Sequence, residues 1–185
     1  MKNTFIIYTC LALSSCSTKL DSLNNNELKS FVTSDEAALR ESKNINGQTV
    51  SYYYLPTDYL IANEVKGTSI DKNMYDSLYQ LFAQYHYFEI QIEGTEELLR
   101  NTKKKKKGMI FIETNKENVY PAFSVIEPGY GILPFNKVLV AFPNNFSNDS
   151  KVYLKVNVGN STLYKFNVAF SKIKKYPQLL IQLCQ

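Results

Sequence analysis

Apolar residues along this chain come first as a block, then at helical spacing, then in alternation. The block is Phe5–Leu13, nine residues preceded by Met1-Lys2-Asn3-Thr4. It falls far short of the ~20 apolar residues that span a bilayer and has the length of the apolar segment of an export signal. Ser17 to about Glu27 is polar and includes Asn24-Asn25-Asn26, a composition that predicts a flexible tether. As a coil, eleven such residues keep a body within roughly 17–20 Å of whatever holds Cys16.

Thr33-Ser34-Asp35-Glu36 before Ala37-Ala38-Leu39-Arg40 predicts a short helix from Ser34 to Glu41, with hydroxyl caps and acids at the positive end of its dipole. Asn46-Gly47 marks a turn, and Gln48–Leu55 a tyrosine-rich strand. Pro56-Thr57-Asp58 ends that strand and opens a single helical turn through Ala62. A longer helix is expected over 71–84, where Met74, Leu78, Leu81 and Phe82 form one face. The period then switches to two: Phe88, Ile90 and Ile92 oppose Glu89, Gln91 and Glu93.

Strands and turns fill the remainder. Met109–Thr114 is expected to pair back across the lysine loop. Val119–Ile126 holds Pro121, which restricts it to a sheet edge or a late start. Glu127–Gly131 reads as a loop, and Val138–Phe142 as a strand buried on both faces. The clearest hairpin joins Val152, Leu154, Val156 and Val158 to Tyr164, Phe166, Val168 and Phe170 around Gly159-Asn160-Ser161. The fold class expected is α+β and mostly β: an antiparallel β-sandwich-like domain with two short N-terminal helices. The expected organisation is residues 1–15 as a signal peptide, 16–32 as lipidated Cys and tether, and 33–185 as one globular domain.

Composition sharpens the picture in two places. The 14 tyrosines and 11 phenylalanines, with no tryptophan, favour strands. Lys103, Lys104, Lys105, Lys106 and Lys107 form one run; outside it, and without Lys2, 15 basic residues face 17 acidic ones, a net of −2. This is a near-neutral domain with one basic loop, which argues against nucleic acid as a partner. The run has two readings, contact with an anionic surface such as headgroups or lipid phosphates, or a solvated hairpin tip.

Leu13-Ser14-Ser15-Cys16 resembles the bacterial lipobox, in which the cysteine thiol is acylated and becomes the first residue of the mature chain. The alternative is an ordinary secretory signal with a chance cysteine. The resemblance implies a membrane anchor of two or three acyl chains at Cys16, each buried methylene contributing roughly 0.8 kcal/mol. Ser17 in place of aspartate implies the outer membrane, and the lack of an acidic cluster from Ser17 to Asp21 favours its periplasmic face over the cell surface. Gly47-Gln48-Thr49-Val50-Ser51-Tyr52-Tyr53-Tyr54-Leu55-Pro56-Thr57-Asp58-Tyr59-Leu60, with the closing Ile173-Lys174-Lys175-Tyr176-Pro177-Gln178-Leu179, is similar to an uncharacterised family of small Bacteroidota lipoproteins. That likeness implies address and fold; no activity is attached to the family.

Candidate chemistry is sparse. His86 is the one histidine and shares a strand face with Phe88 and Ile90, so a packed, hydrogen-bonded ring is expected rather than a general base. Cys184 is left without an intramolecular partner once Cys10 is removed and Cys16 acylated. Asn144–Asp149 offers oxygens for calcium but lacks an EF-hand's glycine and glutamate, and reads as a solvated loop. The acid pairs Glu96-Glu97 and Asp35-Glu36 fit helix starts or loops. No catalytic set, metal site or cofactor is expected. Tyr52–Tyr54, Tyr85, Tyr87 and Tyr130 are either a flat aromatic surface for a glycan or protein, or half-buried structure. The function expected is a lipid-anchored, non-catalytic binding or assembly module of the envelope, with a small hydrolase or transferase using carboxylates or a Ser–Lys pair as the alternative.

Overall fold

The computed structural model describes residues 22–34, 37, 39–66, 70–93, 109–130, 132–146, 151–158, 162–170 and 178–179. They form a mostly-β α+β fold of two antiparallel sheets and three helices, with a two-residue parallel pair, β1 (Ser22–Leu23) on β11 (Gln178–Leu179). The first large sheet runs β2 (Arg40–Ile45), β3 (Gln48–Leu55), β4 (Tyr85–Glu93), β8 (Phe135–Pro143), β7 (Phe123–Glu127). The second runs β10 (Thr162–Asn167), β9 (Val152–Val158), β5 (Ile110–Thr114), β6 (Asn118–Val119).

Alternation builds the core. Val50, Tyr52 and Tyr54 on β3 and Phe88, Ile90 and Ile92 on β4 are buried, facing Leu154, Val156, Tyr164 and Phe166 of the other sheet. Each such side chain contributes roughly 1.5–3 kcal/mol on burial. Tyr52 meets Phe166 edge-on at 5.1 Å, and the Tyr164 hydroxyl donates to the Gln48 carbonyl at 2.9 Å. The β2–β3 turn uses Asn46 and Gly47 at φ 54° and 78°, the left-handed pair that a tight hairpin needs.

The helices gather at one end of the sandwich, where β3 ends and β4 begins. The tether expected over 16–32 is helical from residue 25 onward: α1 (Asn25–Thr33) buries Leu28 and Val32. Asn24 caps it, accepting from the Asn26 and Glu27 amides, while Glu27 returns a bond to the Asn24 amide. The helix expected over 34–41 is corrected: Thr33 and Ser34 close α1, their hydroxyls bonding back to carbonyls of its last turn, and Arg40 opens β2. α2 (Thr57–Glu64) is longer than the single turn expected; it buries Ile61 and Ala62 and packs beside α1.

α3 (Lys72–Phe82) is capped by Asp71, which accepts from the Met74 amide at 2.8 Å. Its inward face differs from the one expected. Tyr75, Leu78 and Phe82 pack on the core, while Met74 and Leu81 are 47% and 57% exposed. The Tyr75 hydroxyl decides the phase by donating to the Asp58 carboxylate of α2 at 2.8 Å. Burial, then the Asp58 hydrogen bond, push that phenol above the usual tyrosine range.

Two further expectations resolve differently. β5 does not pair with β4; it lies in the second sheet between β9 and β6. Pro121 does mark an edge, and it does more: β6 before it belongs to the second sheet and β7 after it to the first, so the chain changes sheet at the proline.

Candidate binding surface

His86 lies where the helical end meets the core. Strand alternation from Phe88 turns it inward, and rings of Phe170 (4.5 Å), Phe146 (5.3 Å) and Tyr54 (5.9 Å) surround it. Nδ1 shares a 3.1 Å hydrogen bond with the Tyr54 hydroxyl, the donor set by the imidazole tautomer. Nε2 is buried without a hydrogen-bond partner among the described residues. Burial therefore lowers the pKa to about 4, the nearby Asn144 side chain only partly opposing it. The ring is a neutral core element, as its strand phase predicts.

Other candidates are tied into structure. Asn144, first of the oxygen-rich loop, donates from its side chain to the Ala83 carbonyl and from its backbone to Gln84; Phe146 is buried. Ser42 and Ser51 bond each other at 2.9 Å, while Lys43 of β2 reaches across to the Lys165 carbonyl, so no serine–lysine pair forms there. On the second sheet's outer face Glu113 joins Lys155 and, at 3.2 Å, Lys165; the Lys155 bond is the larger cause holding its carboxyl below the usual range. Lys165 also sits 3.8 Å over the Tyr153 ring. Among the described residues no three His, Cys, Asp or Glu side chains are placed to hold a metal ion. Cys16, Lys103 to Lys107, Asp35-Glu36, Glu96-Glu97, Cys184 and residues 147–149 of the oxygen-rich loop lie outside the described residues.

What distinguishes this molecule is how unequally its sheet edges are protected. Open edges recruit other strands, and proteins blunt them with charge, shortness or inward-pointing ions. β2 has Lys43 half-buried, lying 5.1 Å over the Phe166 ring and bonded to β10, which closes that side of the sandwich. β10 carries Lys165, and β6 is two residues long. β7 carries a charge only at its last residue, the exposed Glu127. Phe123 and Val125 are 40% and 49% exposed, and among the described residues no strand lies on its outer side.

Register extends this edge into an apolar surface. Phe123 stands opposite Ala141, Ala141 opposite Tyr87, and Tyr87 opposite Leu55; the next row is Val125, Leu139, Glu89 and Tyr53. Phe123 meets Tyr85 and Tyr87 edge-on, each at 5.9 Å. Charge enters with that second row, where Glu89 pairs with Lys137 at 3.1 Å. After β7, a close turn displays Tyr130 and Ile132, 73% and 87% exposed. Gly129 makes that turn possible: a Cβ there would stand 2.4 Å from the Phe135 carbonyl, and its amide donates to the buried Asn136 side chain.

The tyrosines singled out in sequence divide accordingly. Tyr52 and Tyr54 are core, Tyr87 is buried beneath Phe82 and Phe123, and Tyr53 and Tyr85 are half-buried. Phe123, Val125 and Ile132 were not among the sequence candidates; the uncharged run Phe123–Ile126 after an edge-forming proline was the signal for the first two. Comparison of the chain with family models, with curated proteins and with solved structures returned no match.

Proposed function

We propose that this chain is a lipid-anchored binding or assembly module of the bacterial cell envelope, held at the outer membrane through Cys16 and adding an extended segment of a protein partner to the β7 edge. The address rests on Leu13-Ser14-Ser15-Cys16 behind a nine-residue apolar segment. The binding mode rests on one observation: among the described residues β7 is the long edge that exposes two large apolar side chains, Phe123 and Val125, with its charge confined to the last residue, Glu127. In strand addition, main-chain hydrogen bonds supply affinity and alternate side chains supply specificity. Phe123 and Val125 are the alternate pair on the outward face, beside the Tyr85 and Tyr87 rings. His86, neutral and packed, serves the core rather than chemistry.

A photo-crosslinking amino acid at Val125, compared in living cells with one at Leu163 on the second sheet, tests this. Both positions are exposed, at 49% and 43%. A discrete adduct from 125 that 163 does not give supports strand addition at β7; the same adducts from both, or none from 125, removes it.

A further inference from the structure

Given the lipid anchor proposed at Cys16, on which this rests, we infer that the exposed flank of α3 lies on the bilayer surface, fixing the body with its helical end against the lipid and the opposite end away from it. Met74 and Leu81, seven residues apart, form one stripe of α3, beside the Tyr75, Leu78 and Phe82 face that packs on the core. The polar side of the helix, Asn73, Asp76 and Gln80, is exposed as well. An apolar stripe left open beside a packed one, with a polar back, is the pattern of a helix lying in a membrane interface.

Chain length says what covers it. Ser22 opens the described body and leads directly into α1, which packs on α2, which packs on α3. Only five residues, 17–21, separate Ser22 from Cys16. Fully extended they reach about 20 Å, whatever their path. The helical end is therefore held within that distance of the headgroups, and neighbouring helices add only about 8–10 Å per step from α1 to α3. The Tyr130–Ile132 turn is at the other end: β4 runs nine residues from Tyr85 beside α3 to Glu93, and Glu93 pairs with Phe135. That is about 30 Å of strand. α3 thus presents an apolar surface at the anchored end, and the Tyr130–Ile132 turn presents one at the opposite end.

The chain contains no tryptophan, so a single introduced indole is an unambiguous probe. Leu81→Trp and Ile132→Trp alter exposed positions, so the fold tolerates both. Each full-length acylated protein is reconstituted into phosphatidylcholine vesicles with or without bromine on the acyl chains, and acylation is read separately from the mass of the N-terminal peptide. The indole at 81 should lose most of its emission to brominated lipid while the indole at 132 keeps its own. Acylated protein with an unquenched indole at 81, or with the indole at 132 quenched as strongly, overturns the docking and leaves the anchor standing. A peptide without acyl mass overturns the anchor, and the docking with it.

Discussion

Mild acid should weaken this fold through one side chain before its carboxylates begin to protonate. In the unfolded chain His86 titrates near its ordinary 6.5, whereas burial among Tyr54, Phe146 and Phe170 holds the folded ring at about 4. Between those values the unfolded chain binds a proton that the folded chain refuses. The stabilisation is therefore complete above the unfolded value and falls as the pH drops towards the folded one. One pKa unit corresponds to about 1.4 kcal/mol, so the full separation is worth about 3 kcal/mol. About 2 kcal/mol of it is lost by pH 5, a large part of the 5–15 kcal/mol typical of a domain. Glu113, held low by Lys155 and Lys165, behaves oppositely in range: its contribution is lost only as pH falls below the ordinary 4.5. The interval from pH 7 to 5 thus isolates the imidazole. Urea titrations of a leaderless Cys16→Ser chain at pH 7, 6 and 5 should show the loss, and His86→Phe should abolish the slope. That variant also removes the Tyr54 bond, a pH-independent cost of about 1 kcal/mol. A flat profile for the unsubstituted ring, or an equal slope in the phenylalanine variant, would refute the account of this site. Because the chain has one histidine, its ring resonances in an NMR titration give the folded value directly.

Leu28→Ala should destabilise the fold by about 2–5 kcal/mol in the same urea assay, because its side chain is 1% exposed; a residue in a tether would cost nothing. Tyr75→Phe removes the bond to Asp58 and should cost about 1–2 kcal/mol, seen as faster amide exchange in α3 with β4 unchanged. Val125→Lys guards the β7 edge: stability should move by no more than about 0.5 kcal/mol, while a pull-down from crosslinked envelopes loses the partner that the unsubstituted chain retains.

Local punctuation made much of the fold legible. The Gln48–Leu55 strand matches β3 end to end because Asn46-Gly47 and Pro56 bracket it, the Phe88–Ile92 alternation holds, and β9 pairs with β10 as expected up to Asn167, the turn at 159–161 lying outside the described residues. Three asparagines hid α1. Their composition suggested coil, yet Asn24 with Glu27 three residues later is a capping box, and the hydroxyls taken for a start at 33–34 close the helix. Aliphatic spacing misphased α3 because it gave no weight to a tyrosine whose hydroxyl finds a carboxylate on the neighbouring helix. β5 was assigned to the nearest strand in sequence, but its partner, β9, begins some forty residues on, and nothing local encodes that pairing. The candidate surface was half visible: Pro121 announced an edge, but which sheet β7 joins, and that no described strand lies on its outer side, are properties of the assembled sandwich.

Whether the body is fastened to lipid through Cys16, as proposed, is read out by metabolic labelling. Cells expressing the full-length chain are grown with a radioactive or alkynyl palmitate analogue alongside cells expressing Cys16→Ser, and the purified proteins are compared. Label should appear on the unsubstituted chain in the membrane fraction and be absent from the serine variant. Equal label on both, or an unlabelled chain that remains soluble, would contradict the account.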